Sequence, residues 1–411
     1  MSFPHRLLAF TFLLNFGSSS FAQTHYVSTR GKEIINPDGS PLLIRGTNLG
    51  NWLVPEGYMF KFKNASSPRL IDQTLRELIG PDQVKLFWKK FTSSYITSDD
   101  IHFLKSVGMN SIRVPFNYRM FTDPNYLGGM GESGSFALLD RLIGWCKKEK
   151  LFVLLDMHCA PGGQTGDNID DSYGFPFLFD NAQSQELTVN LWRKIAAHYS
   201  NEPTVLGYDL LNEPIAHFFD TAHFNPLLEP LYRKIIKAIR LVDQHHLVFL
   251  GGAQWDSNFN IFGPPFDSKA VYTFHKYWTA TTQDVIQPYL DFRNRYNVPI
   301  YCGETGENAD DWILNFRKRL EENNIGWHFW PYKKMNDNGG IISFELPGGY
   351  EYLRSYADSA KLNLEDVRKF RPADRALVLA ALEGMLVNCR FANCRPNWSY
   401  IHALGLGSAA K

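Results

Sequence analysis

The chain has 411 residues and balances 42 Lys and Arg against 42 Asp and Glu, a formal net charge of zero. That balance excludes the basic excess on which nucleic-acid and polybasic membrane binding depend. A content of 44% hydrophobic and 20% charged residues excludes a disordered chain. Aromatic residues make up 15% of the sequence. Most belong to a core, but Trp and Tyr can also lay flat apolar faces against a neutral ligand, and sugars are ligands of that kind.

The N-terminus reads Arg6, an apolar run from Leu7 to Phe16, then Ser20-Phe21-Ala22. This is the layout of a secretory signal peptide over residues 1–22, and the run is about half the ~20 residues of a membrane span. The expectation is a secreted or periplasmic, monomeric protein with no membrane and no nucleic-acid partner. Short apolar, β-rich runs follow at Pro41–Asn48, Asn110–Pro115, Leu151–His158, Val205–Asn212, His246–Gly251, Ala270–His275, Pro299–Gly303 and Gly326–Trp330. Such runs suit parallel strands covered on both faces. Helical patterns fall between them at Ser98–Val107, Phe136–Lys148, Ala182–Tyr199, Pro226–Val242, Gln283–Tyr296 and Asp310–Asn323. There is little room for a helix between the fifth and sixth strands. Eight strand–helix units in one chain predict an α/β fold, a (β/α)8 TIM barrel over residues 23–363, with a doubly wound open sheet as the alternative. A long insertion, Gly50–Thr97, follows the first strand. Residues 364–411 form a C-terminal extension with a helix over Pro372–Val387, expected to pack on the barrel. Five cysteines are too few for a disulfide framework, although Cys389 and Cys394 are close enough to close one small loop.

Active sites of such barrels lie at the C-terminal ends of the strands. The residues found there are Arg113, His158, Asn212 with Glu213, His275 with Tyr277, Glu304 and Trp330. Two carboxylates on the fourth and seventh strands suit glycoside hydrolysis, in which one group protonates the leaving oxygen and the other attacks or activates water. Arg113 can hold Glu304 ionised, His275 and Tyr277 can orient the pair, Asn212 can bind a sugar 2-OH, and Trp330 can stack under a ring. Glu307 competes with Glu304; Glu304 is preferred because it directly ends its strand.

These residues carry a resemblance. Asp209-Leu-Leu-Asn-Glu-Pro214 is similar to the Asn-Glu-Pro signature of retaining clan-A glycoside hydrolases. The chain more specifically resembles glycoside hydrolase family 5 through Arg45-Gly-Thr-Asn-Leu-Gly-Asn-Trp-Leu53, Asn110-Ser-Ile-Arg-Val-Pro-Phe116, Leu155-Asp-Met-His158, Tyr272-Thr-Phe-His-Lys-Tyr-Trp278, Gly303-Glu304 and His328-Phe-Trp330. The resemblance implies a (β/α)8 barrel and double displacement, with Glu213 as acid/base and Glu304 as nucleophile. It implies no metal and no cofactor, and Arg113, His158, Asn212, His275, Tyr277 and Trp330 as substrate-binding and supporting residues. The opening Gly46–Leu53 and the loop Ala160–Gln164 look most like the exo-β-1,3-glucanase branch, although Asn51 stands where that branch has a second Gly.

The expected substrate is a β-glucan oligosaccharide or polysaccharide, either β-1,3-linked or cellulose-type. A β-mannan hydrolase, a transglycosylase and a non-catalytic carbohydrate-binding protein remain as alternatives. The acidic stretch after His158, with Asp167, Asp170 and Asp171, can meet sugar hydroxyls, hold Ca²⁺ in a non-standard loop, or be plain solvated loop. Trp52, Trp255 and Trp278 lie near strand ends as possible flanking sugar platforms.

Overall fold

A computed structural model describes residues 26–407, so the reading of residues 1–22 as a signal peptide lies outside the described residues. Eight parallel strands close into a barrel in chain order. They are β1 (Arg45–Asn48), β2 (Ser111–Asn117), β3 (Phe152–Cys159), β4 (Val205–Asp209), β5 (Leu247–Gly251), β6 (Ala270–Tyr277), β7 (Ile300–Gly306) and β8 (Gly326–Trp330), with β8 pairing back onto β1. Each expected strand is present, and the open-sheet alternative is excluded by closure. The reason the strands were readable is burial on both faces: β2, β4, β5, β7 and β8 are buried along their whole length.

The ends differ from expectation in ways that matter for the site. The fourth strand stops at Asp209, three residues before Asn212. The sixth and seventh run two and three residues further than expected, so Tyr277 and Glu304 lie within strands rather than past them. A register shift between Phe274 and His275 pairs His275 with Glu304 across β6 and β7. A bulge of this kind re-aims side chains at a barrel rim.

The helices α1 (Pro68–Ile79) and α2 (Pro81–Ser94) form in the insertion, each with Pro at its start, where a missing N–H costs nothing. In α3 (Ser98–Ser106), Thr97 is the cap, in a capping box with Asp100. The outer ring continues with α4 (Gly131–Glu149), α5 (Ala182–Tyr199) and α6 (Thr221–Arg240), then α7 (Gln283–Tyr296) and α8 (Asp310–Glu322). The start of α6 lies five residues before Pro226, because the Asp220 carboxylate accepts from the Ala222 and His223 backbone N–H groups. Only a single turn, Ala253–Asp256, and a 3-10 turn, Phe259–Ile261, fit between β5 and β6.

Beyond the barrel, α9 (Tyr350–Ala357) and α10 (Arg375–Asn388) pack on each other, and α10 also packs on α1 and α2. The last helix, α11 (Trp398–Ala403), packs on α8. The helix Leu364–Phe370 buries no residue. Cys389 and Cys394 are free thiols, so the small disulfide loop does not form. Among the described residues no helix is long and apolar enough to cross a membrane.

Gly46 shows how tightly the barrel closes between β8 and β2. A Cβ there would lie 2.2 Å from the Ser111 carbonyl oxygen and 2.4 Å from His328 Cδ2. Backbone cannot yield to it as a flexible side chain would, so Gly46→Ala is expected to cost about 2–4 kcal/mol in a urea unfolding titration.

Candidate active site

The centre is built around one guanidinium. Arg113 on β2 is fully buried, a position a charge holds only when paired and hydrogen-bonded. Its Nε donates to Asp209 Oδ2 at 2.8 Å. One terminal nitrogen donates to Glu304 Oε1 at 2.5 Å and to Asn48 Oδ1 at 3.0 Å. The other donates to Asn212 Oδ1 at 2.9 Å and lies 3.1 Å from Asp156 Oδ1. Five strands, β1 to β4 and β7, or the turns that end them, therefore meet on Arg113.

Around it the side chains are oriented in pairs. Asp156 Oδ2 lies 2.8 Å from His158 Nδ1 and fixes that ring. The Tyr277 hydroxyl donates to the second oxygen of Glu304 at 3.0 Å. His275 Nδ1 sits 2.9 Å from Glu213 Oε1 and 3.9 Å from Glu304 Oε2. A carboxylate oxygen of Glu213 lies within 4.8 Å of one of Glu304. Trp330 stacks on His158 with parallel rings 5.6 Å apart, and its N–H donates to the Tyr58 hydroxyl at 2.6 Å.

A cavity of about 400 Å³ opens over this centre, lined by Glu213, Glu304, His158, His275, Tyr277 and Trp330. All eight site residues read from the sequence converge here, but two of them stand behind the cavity wall. Arg113 and Asn212 do not line it. Asn212 is fully buried with Oδ1 committed to Arg113 and Nδ2 3.5 Å from His158 Nε2. Its part in the observed contacts is to hold the guanidinium. Glu307 also lines the cavity, but its Oε1 is bound to Lys334 Nζ at 3.0 Å, which leaves Glu304 as the carboxylate opposite Glu213.

The expected platforms divide. Trp255 and Trp278 line the cavity. Trp52 does not: it is buried in the core with its N–H donated to the Thr92 carbonyl. Asp170 and Asp171 are not free for hydroxyls or for Ca²⁺ either. Asp170 accepts from the backbone of Thr165, Gly166 and Ser172, and Asp171 is bound to Arg69 N, Asn117 and Arg119.

The environment separates the two glutamates electrostatically. Burial pushes Glu213 up to about 7, opposed by His158 and Arg113 and reinforced by Asp167. Burial also raises Glu304, while His275, Arg113 and His158 pull it back towards the ionised form. Only Glu304 touches the guanidinium directly. Burial lowers His158 to about 4 and His275 to about 3, so both rings are neutral near pH 7.

Sequence reasoning missed four buried acids. Asp156 and Asp209 sit inside strands and hold Arg113. A charge within an otherwise apolar strand is itself a signal, because it cannot be buried unpaired. Asp256 Oδ2 accepts from the Glu213 backbone N–H at 3.2 Å and lies 3.2 Å from His275 Nε2, behind the pair. Gly251 makes room for it, since a Cβ there would fall 1.8 Å from Asp256 Oδ1. Gln254, Trp255 and Asp256 all take left-handed φ near +55°, strain that a surrounding structure must enforce. Glu56 lines the cavity with an unpartnered buried Oε1. It is the only charged residue between Arg45 and Lys61, which was its one visible mark.

Two triads bring possible metal ligands within 4.8 Å of one another: Asp156, His158 and Glu304, and Glu213, His275 and Glu304. Both include Glu304, whose Oε1 already accepts from Arg113, so a divalent ion at either triad would have to share that carboxylate with a fixed cation.

A closed (β/α)8 barrel with two facing carboxylates at the C-terminal rim defines the class to which glycosidases belong. The family model described as Cellulase (glycosyl hydrolase family 5) matches residues 74–336, and the chain belongs to that family. It is 32% identical to a β-xylosidase of Phanerodontia chrysosporium over 64% of this chain and 54% of the relative. It is 31% identical to a probable glucan 1,3-β-glucosidase A of Aspergillus fumigatus over 51% of this chain and 49% of the relative. The chain thus spans about half the length of these two curated relatives. The structure of a rutinosidase from Aspergillus niger superposes with a TM-score of 0.57 at 20% identity, covering 71% of this chain and 90% of that one; this likeness concerns the fold.

Replacing Arg113 by Met would leave Asp156, Asp209 and Glu304 buried without their cation. We expect a loss of about 3–5 kcal/mol in urea unfolding. Arg113→Lys keeps the charge but cannot fork to so many partners, and its stability should fall between that of the wild type and Arg113→Met.

Proposed function

We propose that the protein is an exported retaining glycosidase that cleaves β-glucosidic bonds in β-glucan, β-1,3-linked or cellulose-type. The observation that carries this reading is the approach of Glu213 and Glu304 to within 4.8 Å. Carboxyl pairs roughly 5–5.5 Å apart suit a covalent glycosyl intermediate, whereas inversion needs roughly 6.5–9.5 Å to admit water between them. The names of the relatives, a glucan 1,3-β-glucosidase among them, and the family description support a β-glycan substrate. The layout of residues 1–22 supports export.

In the first step a Glu304 oxygen attacks the anomeric carbon as the glycosidic C–O bond breaks. Glu213 gives its proton to the departing oxygen. Arg113 and the Tyr277 hydroxyl keep Glu304 ionised and aimed, one on each oxygen. In the second step ionised Glu213 takes a proton from water, whose oxygen attacks the anomeric carbon and releases Glu304. Burial suits Glu213 to this exchange, because a group poised near 7 can both give and accept a proton near neutral pH. Neutral His275 against Oε1 holds the acid in place.

The test is hydrolysis of laminarin, cellulose derivatives, mixed-linkage glucan, mannan and aryl β-glucosides, with the anomeric form of the product read by NMR. Retained configuration is expected, and inversion would overturn the double displacement. Glu304→Gln should lose activity by at least about 10³-fold on every substrate. Glu213→Gln should be slow on polymers, yet keep rapid glycosylation with an activated aryl leaving group, which needs no proton.

The pH dependence has a fixed sign. Glu213 must be protonated in the free enzyme, so kcat/KM should fall as pH rises through about 7. Glu304 must be ionised, so the acid limb should lie above an ordinary glutamate, because burial raises it. An alkaline limb that stays in place in Glu213→Gln would assign it to another group.

A further inference from the structure

The loop after His158 is built more firmly than the two-carboxylate centre requires. Buried Asp170 fastens it from within, accepting from the backbone N–H groups of Thr165, Gly166 and Ser172 at 2.6–3.0 Å. Asp171 ties it outwards, to Arg69 N at 2.8 Å and the Arg119 guanidinium at 3.0 Å. This tied loop then presents Tyr173, 76% exposed. The Arg69 guanidinium lies 4.0 Å from the ring centroid, over one face, and its Nη2 donates to the neighbouring Ser172 carbonyl at 3.0 Å. A tyrosine on a surface loop usually moves freely. Here a stacked cation fixes the ring from one side and leaves the other bare, which is a preorganised stacking surface.

A second observation concerns the space beside the ring. A cavity of about 310 Å³ is lined by Tyr173, Ser172, Arg69, Ser67, Asn168 and Asp167, among others. Asp167 also lines the catalytic cavity, so the two adjoin. The smaller cavity's lining residues Ser172, Asn168 and Asp167 carry a hydroxyl, an amide and a carboxylate, groups that suit a ligand rich in hydroxyls. Arg69 and Asp167, one of each charge, leave the lining with no excess of either, which suits a neutral ligand rather than an anion.

We propose that this cavity and the bare face of Tyr173 form a distal subsite for a further sugar unit of the β-glucan chain cleaved between Glu213 and Glu304. The ring stacks on the apolar face of that unit, while the polar lining of the cavity meets its hydroxyls. The inference rests on the glycosidase reading above and extends it: the enzyme prefers chains long enough to pass Asp167.

The test is kcat/KM for laminari- and cello-oligosaccharides of two to six units beside an aryl β-glucoside, in the wild type, Tyr173→Ala and Tyr173→Phe. The wild type should gain with chain length until the distal cavity is filled. Tyr173→Ala should lose roughly five- to tenfold on the longer chains, the worth of one aromatic contact, and nothing on the aryl glucoside. Tyr173→Phe keeps the ring and should retain the gain. A wild type that turns over no glycoside overturns the glycosidase reading itself. The subsite alone is overturned in two cases: if the active wild type shows no dependence on length, or if Tyr173→Ala matches the wild type on long chains or loses equally on the aryl glucoside.

Discussion

The constraint on which the rest depends is the burial of Arg113. A guanidinium taken out of water must find its partners inside the protein, and Arg113 finds four hydrogen-bond acceptors, two carboxylates and two amide oxygens, and a third carboxylate as an ion pair, supplied by different parts of the barrel. The same contacts fix the site. Glu304 is clamped on one oxygen, Asn212 is held beside Glu213, and Asp156 is placed to orient His158. Stability and geometry are thus one network, and the guanidinium's planar fork is what lets one residue serve so many partners.

Burial raises both glutamates, but what opposes it differs between them. Glu304 meets the cation directly and takes a Tyr277 hydroxyl on its other oxygen. Glu213 meets a neutral imidazole and a distant positive charge, so desolvation dominates and moves it to about 7. The barrel places these unlike environments within one cavity. The bulge at His275 and the left-handed segment Gln254–Asp256 are the local departures from regular structure that aim the supporting groups.

Much of this was legible in the sequence, and for identifiable reasons. The strands were readable because parallel strands buried on both faces are continuous apolar runs, and Arg113, His158, His275 and Glu304 were readable because they interrupt or end those runs. Tyr277 and Trp330 carried the same mark. Strand ends were less legible: Glu304 belongs to β7 and Asn212 lies past β4 because register with neighbouring strands, which no local pattern encodes, sets where pairing stops. Trp52 was misread for a similar reason. Its position after β1 suggested the rim, but the insertion folds over it and turns it into core.

The chain by itself determined the barrel, its order and the identity of the polar groups at its rim, because each follows from the spacing of apolar and charged residues along one strand or helix. Only the tertiary structure decided how those groups are used. Whether Asn212 faces the cavity or the guanidinium depends on residues far away in the chain. So does whether Asp171 meets solvent or Arg69 and Arg119, and whether Asp256 and Glu56 have any place in the site. The electrostatic difference between Glu213 and Glu304 arises the same way, from distance and dielectric, quantities that exist only once the chain has closed.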